Sequence, residues 1–132
     1  MTKTRPLDTT TILLVDDDQD FRGLLKRLLE KDTRLRVAAE ANDGAEAIAL
    51  AARLTPDVIL MDLAMPGING LEATRRIKSE RPEMKIIIFT QYMDDVYHRA
   101  ATDSGADNFL SKRIRLTDLR ATIRQVAGET TR

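Results

Sequence analysis

Several apolar runs in this chain end in residues that could act together. Ile12 to Val15 runs into Asp16, Asp17 and Asp18. Val58 to Met61 runs into Asp62, Ile86 to Phe89 into Thr90, and Asn108 to Leu110 into Ser111 and Lys112. Short runs of this kind are read as strands buried on both faces. In an open parallel sheet the carboxyl ends of such strands share one edge, where ligands bind. Three carboxylates brought within ~4–6 Å repel and raise one another's pKa values. Each pair costs about 4 kcal/mol at 4 Å and an effective dielectric of 20. A hard divalent cation with oxygen ligands resolves that conflict, and Mg2+ is the usual one beside phosphate. A carboxylate next to such a metal is a nucleophile towards phosphorus. Lys112 as a point charge and Thr90 as a donor would hold the incoming oxygens, and the product would be an aspartyl phosphate on Asp62.

The stretch from Asp57 to Gly70 is the centre of this arrangement, because its strand ends in Asp62 and a loop punctuated by Pro66, Gly67 and Gly70. The other elements follow from periodicity. Phe21, Leu24, Leu25, Leu28 and Leu29 mark a first helix with one buried face, capped near Asp18. Leu35 to Ala41 mixes apolar and polar residues and is expected as an edge strand. Asp43 and Glu46 resemble a capping box, and Ala45, Ile48, Ala49 and Ala52 give the second helix its stripe. A third helix carries Leu71, Thr74 and Ile77 and ends at Arg81 before Pro82. Asp94 to Ser104 is a polar fourth helix, with Val96, Ala100 and Ala101 inward and Gly105 as its left-handed cap. Leu116, Leu119, Ile123 and Val126 mark a fifth, ended by Gly128. Strands alternating with helices over short connections predict right-handed crossovers and a parallel sheet covered on both faces.

Composition narrows the function classes. The 132 residues suit one domain, with 42% hydrophobic and 32% charged residues. Basic and acidic residues number 21 each, which argues against electrostatic gripping of nucleic acid by this domain. The absence of Cys removes thiol catalysis and thiolate metal sites. No apolar run approaches the ~18 residues of a membrane span, so no membrane partner is expected and the cytosol is the default compartment. Gly67 and Gly70 lack the spacing of nucleotide-binding glycine motifs.

The ordered set Asp16-Asp17, Asp62, Thr90 and Lys112, together with the loop Met65-Pro66-Gly67, closely resembles the receiver domain of two-component response regulators. The resemblance covers about residues 11 to 127, leaving 1–10 as a flexible lead-in and 128–132 as a tail or the start of a linker. It implies an α/β, flavodoxin-like fold with five parallel strands in the order 2-1-3-4-5 and five helices. It also implies that Asp62 accepts a phosphoryl group. Asp16, Asp17, Asp62 and the main-chain carbonyl of Ala64 would hold Mg2+, or Mn2+ in its place. Thr90 and Phe109 match the family's switch positions, and Lys112 matches its lysine. Ala64 and Tyr92 stand where the family tunes the lifetime of the phosphoryl group. The implied partners are a sensor histidine kinase or phosphotransfer protein and, through the face of the fourth helix, fifth strand and fifth helix, a second copy of the chain.

Arg113 follows Lys112 where the family often has Pro. With the run Gly105 to Lys112, it resembles the LuxR or FixJ type, which usually carries a C-terminal helix-turn-helix. On that ground the chain is read either as a stand-alone receiver or as the receiver of a longer protein with a DNA-binding output domain. Two other readings compete. A degenerate receiver would act as a phosphate-independent interaction domain, and the complete acid, Thr and Lys set speaks against it. A small phosphohydrolase of the haloacid-dehalogenase type needs an Asp two residues after its nucleophile, where this chain has Ala64.

Overall fold

The computed structural model describes residues 9–128, so positions 1–8 of the expected lead-in and 129–132 of the expected tail lie outside the described residues. Strands β1 (Thr10–Val15), β2 (Leu35–Ala41), β3 (Val58–Met61), β4 (Lys85–Thr90) and β5 (Asn108–Ser111) alternate with helices. The helices are α1 (Gln19–Leu29), α2 (Gly44–Leu54), α3 (Gly70–Glu80), α4 (Asp95–Asp103) and α5 (Leu116–Val126). The strands form one parallel sheet in the order β2-β1-β3-β4-β5, the doubly wound flavodoxin-like arrangement expected.

Because side chains alternate along a strand, each apolar run feeds two cores. Leu13, Val15, Ile59, Met61, Ile86 and Ile88 meet Ala47 and Ala51 of α2, Ala73 and Ile77 of α3, and Ala101 of α4. Ile12, Leu14, Val58, Leu60, Ile87 and Phe89 meet Leu25 and Leu29 of α1 and Leu119 and Ile123 of α5 on the other face. Three of the helices, α1, α2 and α3, start at side-chain caps, whereas α4 and α5 have none. Asp18 accepts from the Phe21 N–H at 3.0 Å, Asp43 from Glu46 at 2.9 Å and Asn69 from Glu72 at 2.9 Å. The capping box at α2 is shifted by one residue, because Glu46 reaches the N–H of Asn42 at 2.7 Å instead of that of the cap itself. Gly105 and Gly128 take the left-handed conformation expected of helix-ending glycines, with φ of 99° and 91°.

Three expected helix faces differ in part from those observed. In α1 the buried positions are Arg22, Leu25 and Leu29. A buried arginine centres the stripe, and Leu24, about 100° round from Leu25, is left exposed. In α2 the buried residues are Gly44, Ala47 and Ala51, whereas Ala45, Ala49 and Ala52 are exposed and Ile48 is half-buried. Alanine occurs on several sides of that helix, so hydrophobicity marks no face and close approach decides it. In α4 Ala101 is buried, but Val96 is exposed and Tyr97 packs on the core in its place.

Two glycines set how near the loops come to the strand ends. A Cβ on Gly44 would lie 2.3 Å from the carbonyl oxygen of Ile68, and one on Gly70 would lie 1.9 Å from that of Asp62. The Gly70 N–H donates to the carbonyl of Leu63 at 2.9 Å, folding the loop tightly back over the end of β3. Gly70→Ala forces backbone apart at that point. It is expected to destabilise the protein by about 2–3 kcal/mol, read as a lowered urea midpoint with unchanged slope.

Candidate functional site

The ends of β1, β3, β4 and β5 bring Asp16, Asp17, Asp62, Thr90 and Lys112 to one edge of the sheet. Asp16, Asp17 and Asp62 offer carboxylate oxygens within 4.8 Å of one another, and they could hold a metal ion. With Asp18, Phe21, Ala64, Gln91, Tyr92 and Lys112 they line a cleft of ≈ 480 Å³. Asp16 and Asp62 are buried, whereas Asp17 and Ala64 are exposed at the mouth.

Backbone and side-chain contacts fix each group. The Asp16 N–H donates to Ala41 at 3.1 Å and the Asp62 N–H to Val15 at 2.9 Å, carrying the sheet ladder one residue beyond the strands. Oδ1 of Asp16 accepts from the Asp18 N–H at 2.9 Å, and Oδ1 of Asp62 accepts from the Leu63 N–H at 2.9 Å. The Lys112 ammonium lies 2.7 Å from Oδ2 of Asp16 and 3.3 Å from Oδ1 of Asp62. Its Nζ also sits 4.8 Å from the centre of the Phe21 ring. Thr90 is fully buried, its hydroxyl oxygen accepting from the Tyr92 N–H at 3.0 Å.

The electrostatics follow from crowding. Burial, then the Asp16 charge, push Asp62 up to about 6, against the opposing pull of Lys112. Burial works against the Lys112 charge, but the hydrogen bond to Asp16 and the Asp62 charge outweigh it and raise its pKa. One ammonium among the four carboxylates that line it leaves the cleft negative, and the oxygens of Asp16, Asp17 and Asp62 suit a hard cation.

Phe109 does not line the cleft. It is half-buried on the far side of β5, its ring stacked on His98 of α4 at 4.7 Å with an interplanar angle of 8°. Tyr92 is exposed and tilted against Tyr97 at 5.6 Å. The Lys112–Arg113 peptide is trans, and the Arg113 N–H donates to the Ser111 hydroxyl at 3.0 Å. Sequence reasoning missed Phe21 beneath Lys112, the His98–Phe109 stack, and Arg22. The last left a signal, since a charged residue sits inside the apolar stripe of α1 six positions after Asp16.

Residues 12–124 match the response regulator receiver domain. The chain belongs to that family. Among the relatives of this receiver, the transcriptional regulatory protein LiaR of Bacillus subtilis is 40% identical over 113 residues, which are 86% of this chain and 54% of that protein. The response regulator GacA of Pseudomonas aeruginosa is 37% identical over 119 residues, 89% of this chain and 56% of that protein. The receiver thus spans about half the length of the curated relatives it matches. A LuxR-family two-component response regulator from Aurantimonas has a solved structure with TM-score 0.86 and 35% identity, covering 90% of this chain and 85% of that one. The receiver domain of the putative regulator NarL from Mycobacterium tuberculosis gives 0.87 at 26% identity, covering 92% of this chain and 98% of that one. Within the family, the receiver sorts with the LuxR or FixJ type. No helix among its described residues is long and apolar enough to cross a membrane.

The raised Asp62 pKa has a consequence for stability. Asp62 is harder to ionise in the fold than at its ordinary 3.8. Its contribution is therefore intact below that value and is lost as the pH rises through about 6. In chelator, Asp62→Asn is expected to melt roughly 3–6 °C above the parent at pH 7, for about 1–2 kcal/mol once water at the open mouth screens the charges. The gap closes towards pH 4 and narrows on adding Mg2+. Thermal melts across that range check both.

Proposed function

We propose that this receiver takes a phosphoryl group onto a carboxylate oxygen of Asp62 from the phosphohistidine of a sensor kinase or phosphotransfer protein. The observation that supports it is the convergence of Lys112 on Asp16 and Asp62, at 2.7 and 3.3 Å, within the three-acid cleft. The carboxylates of Asp16, Asp17 and Asp62, with the main-chain carbonyl of Ala64, would hold Mg2+ or Mn2+. When bound, the cation neutralises the acids and the charge developing on the phosphoryl oxygens.

The rest falls to the chain's own side chains. An oxygen of Asp62 attacks phosphorus, the P–N bond to the donor imidazole breaks, and the imidazole leaves with the bond's electron pair and takes up a proton. Lys112 already lies against Asp62 and is placed to exchange part of that contact for a phosphoryl oxygen. The Thr90 hydroxyl is held at the neighbouring strand end, within the same edge. This is chemistry on the protein itself, followed by slow attack of water on the acyl phosphate. Ala64 and Tyr92 at the mouth limit that water's approach and set the lifetime.

The output follows from the Thr90 side. A phosphoryl group on Asp62 draws the Thr90 hydroxyl towards it and opens space behind. Phe109 then leaves its outward stack on His98 and turns into that space, repacking the face made by α4, β5 and α5. That face would meet a second copy of the receiver or a DNA-binding output domain in a longer chain, the latter in keeping with relatives named as transcriptional regulators.

Intact mass after incubation with Mg2+ and acetyl phosphate tests the acceptor. One phosphoryl group is expected on the parent and none on Asp62→Asn or in chelator. Equal gain by parent and variant would put the acceptor elsewhere. The switch has its own readout. The nuclear Overhauser contact between the His98 and Phe109 rings is expected to weaken when beryllofluoride, a phosphoryl mimic, is added with Mg2+. A contact of unchanged strength in the saturated protein refutes the switch.

A further inference from the structure

Arg22 is buried, in a chain whose basic residues mostly face water. A charged side chain is rarely kept there unless it is paired. Its guanidinium reaches from α1 to the carboxyl ends of β1 and β2. Nη1 donates to the main-chain carbonyl of Asp16, to Asn42 Oδ1 at 2.9 Å and to the carbonyl of Ala41 at 3.3 Å, while Nε donates to Glu40 at 2.8 Å. The charge is met by Glu40. Its contact with the cleft residues is to backbone, at the carbonyl of Asp16.

The backbone it holds is the peptide between the two acids. The carbonyl of Asp16 and the N–H of Asp17 share one rigid plane, so anchoring that plane restrains the backbone from which both carboxylates project. Ala41 fixes Asp16 from its N–H side and Arg22 fixes it from its carbonyl side. A ligand set needs its members held to within about 0.5 Å. Arg22 supplies the only side-chain contact that the Asp16 carbonyl makes among the described residues. The planar, five-donor guanidinium can serve acceptors on two strands at once, which a lysine ammonium on a different stem cannot reproduce.

We infer that Arg22 is a positioning residue for the acidic pair, orienting Asp16 and Asp17 for the cation from beneath the site. This rests on the reading of those acids as the metal-holding set. The test is Mg2+ affinity of the unphosphorylated protein, by calorimetry or by Mn2+ electron paramagnetic resonance well below the melting temperature. Partners that orient metal ligands typically change affinity by about 10–100-fold when altered. Arg22→Lys is accordingly expected to weaken Mg2+ binding by about tenfold or more. The Mg2+ concentration for half-maximal phosphorylation by acetyl phosphate should rise in step, with the rate at saturating Mg2+ little changed.

A purely structural tie would lower the melting temperature and leave Mg2+ affinity at the parent value, and that result overturns the inference. Should Arg22→Lys not fold, Asn42→Ala removes one of its acceptors and is expected to shift affinity in the same direction; parent affinity there overturns it equally. Asp17→Asn separates the two levels. Loss of binding in Asp17→Asn with parent affinity in Arg22→Lys sinks this inference alone. Unchanged binding in Asp17→Asn sinks the site reading and this inference with it.

Discussion

The contact on which the rest of the site depends is the Lys112 ammonium lying between Asp16 and Asp62. Lys112 follows β5 at one edge of the sheet, and Asp16 follows β1, with β4 and β3 between them. Three strand spacings amount to roughly 14 Å, which a side chain closes only if nothing bulky stands in the way. The residue ending the intervening β4 is Thr90, small and fully buried. The sheet order therefore does more than collect polar residues on one edge. It places the single ammonium where it links the ends of the first, third and fifth strands.

That contact is incomplete as charge compensation, and the incompleteness is what suits the site to a cation. One ammonium faces three acids, and burial together with the Asp16 charge makes Asp62 hard to ionise. A fold selected for stability alone would put an apolar residue there. Around this unfavourable charge the backbone is unusually fixed. Gly70 lies against the Asp62 carbonyl with no room for a Cβ, the Leu63 N–H holds Oδ1, and Arg22 holds the peptide between Asp16 and Asp17. Tight packing beneath a strained electrostatic arrangement is how proteins retain such sites, because the surroundings over-determine the geometry.

The sheet and the polar set were legible because each leaves a local mark. An apolar run ending in a carboxylate is visible wherever it occurs, and capping residues announce the helices at Asp18 and Asp43. The mixed pattern of β2 marked it as an edge strand, as it is, but which strand it pairs with, and the rest of the strand order, came only through the family resemblance. The helix faces were less readable. In α2 alanines on several sides carry equal hydrophobicity, and the buried side was chosen by Gly44 closing on Ile68. In α1 the expected stripe holds at Phe21, Leu25, Leu28 and Leu29 and fails at Leu24. What it missed is Arg22, whose burial is supported by acceptors about 20 residues away on β2 and beyond. The His98–Phe109 stack joins two residues that belong to different elements. Read singly, one looks like a surface histidine and the other like core.

That stack bears on how finely the switch would be balanced. Aromatic pairs are worth about 0.5–1.5 kcal/mol beyond the area they bury. Hydrogen bonds to a charged acceptor contribute about 1.5–3 kcal/mol. On the proposed reading, Lys112 only exchanges one charged acceptor for another, so the net gain is the Thr90 hydrogen bond. That bond would outweigh the stack by about 0–2.5 kcal/mol, enough for a population shift and not for an irreversible change. The outward Phe109 would then be held by a contact matched in size to the signal that must break it. A ring stacked on His98 would set the resting bias of this particular receiver, and with it how far the unphosphorylated chain already visits its active face.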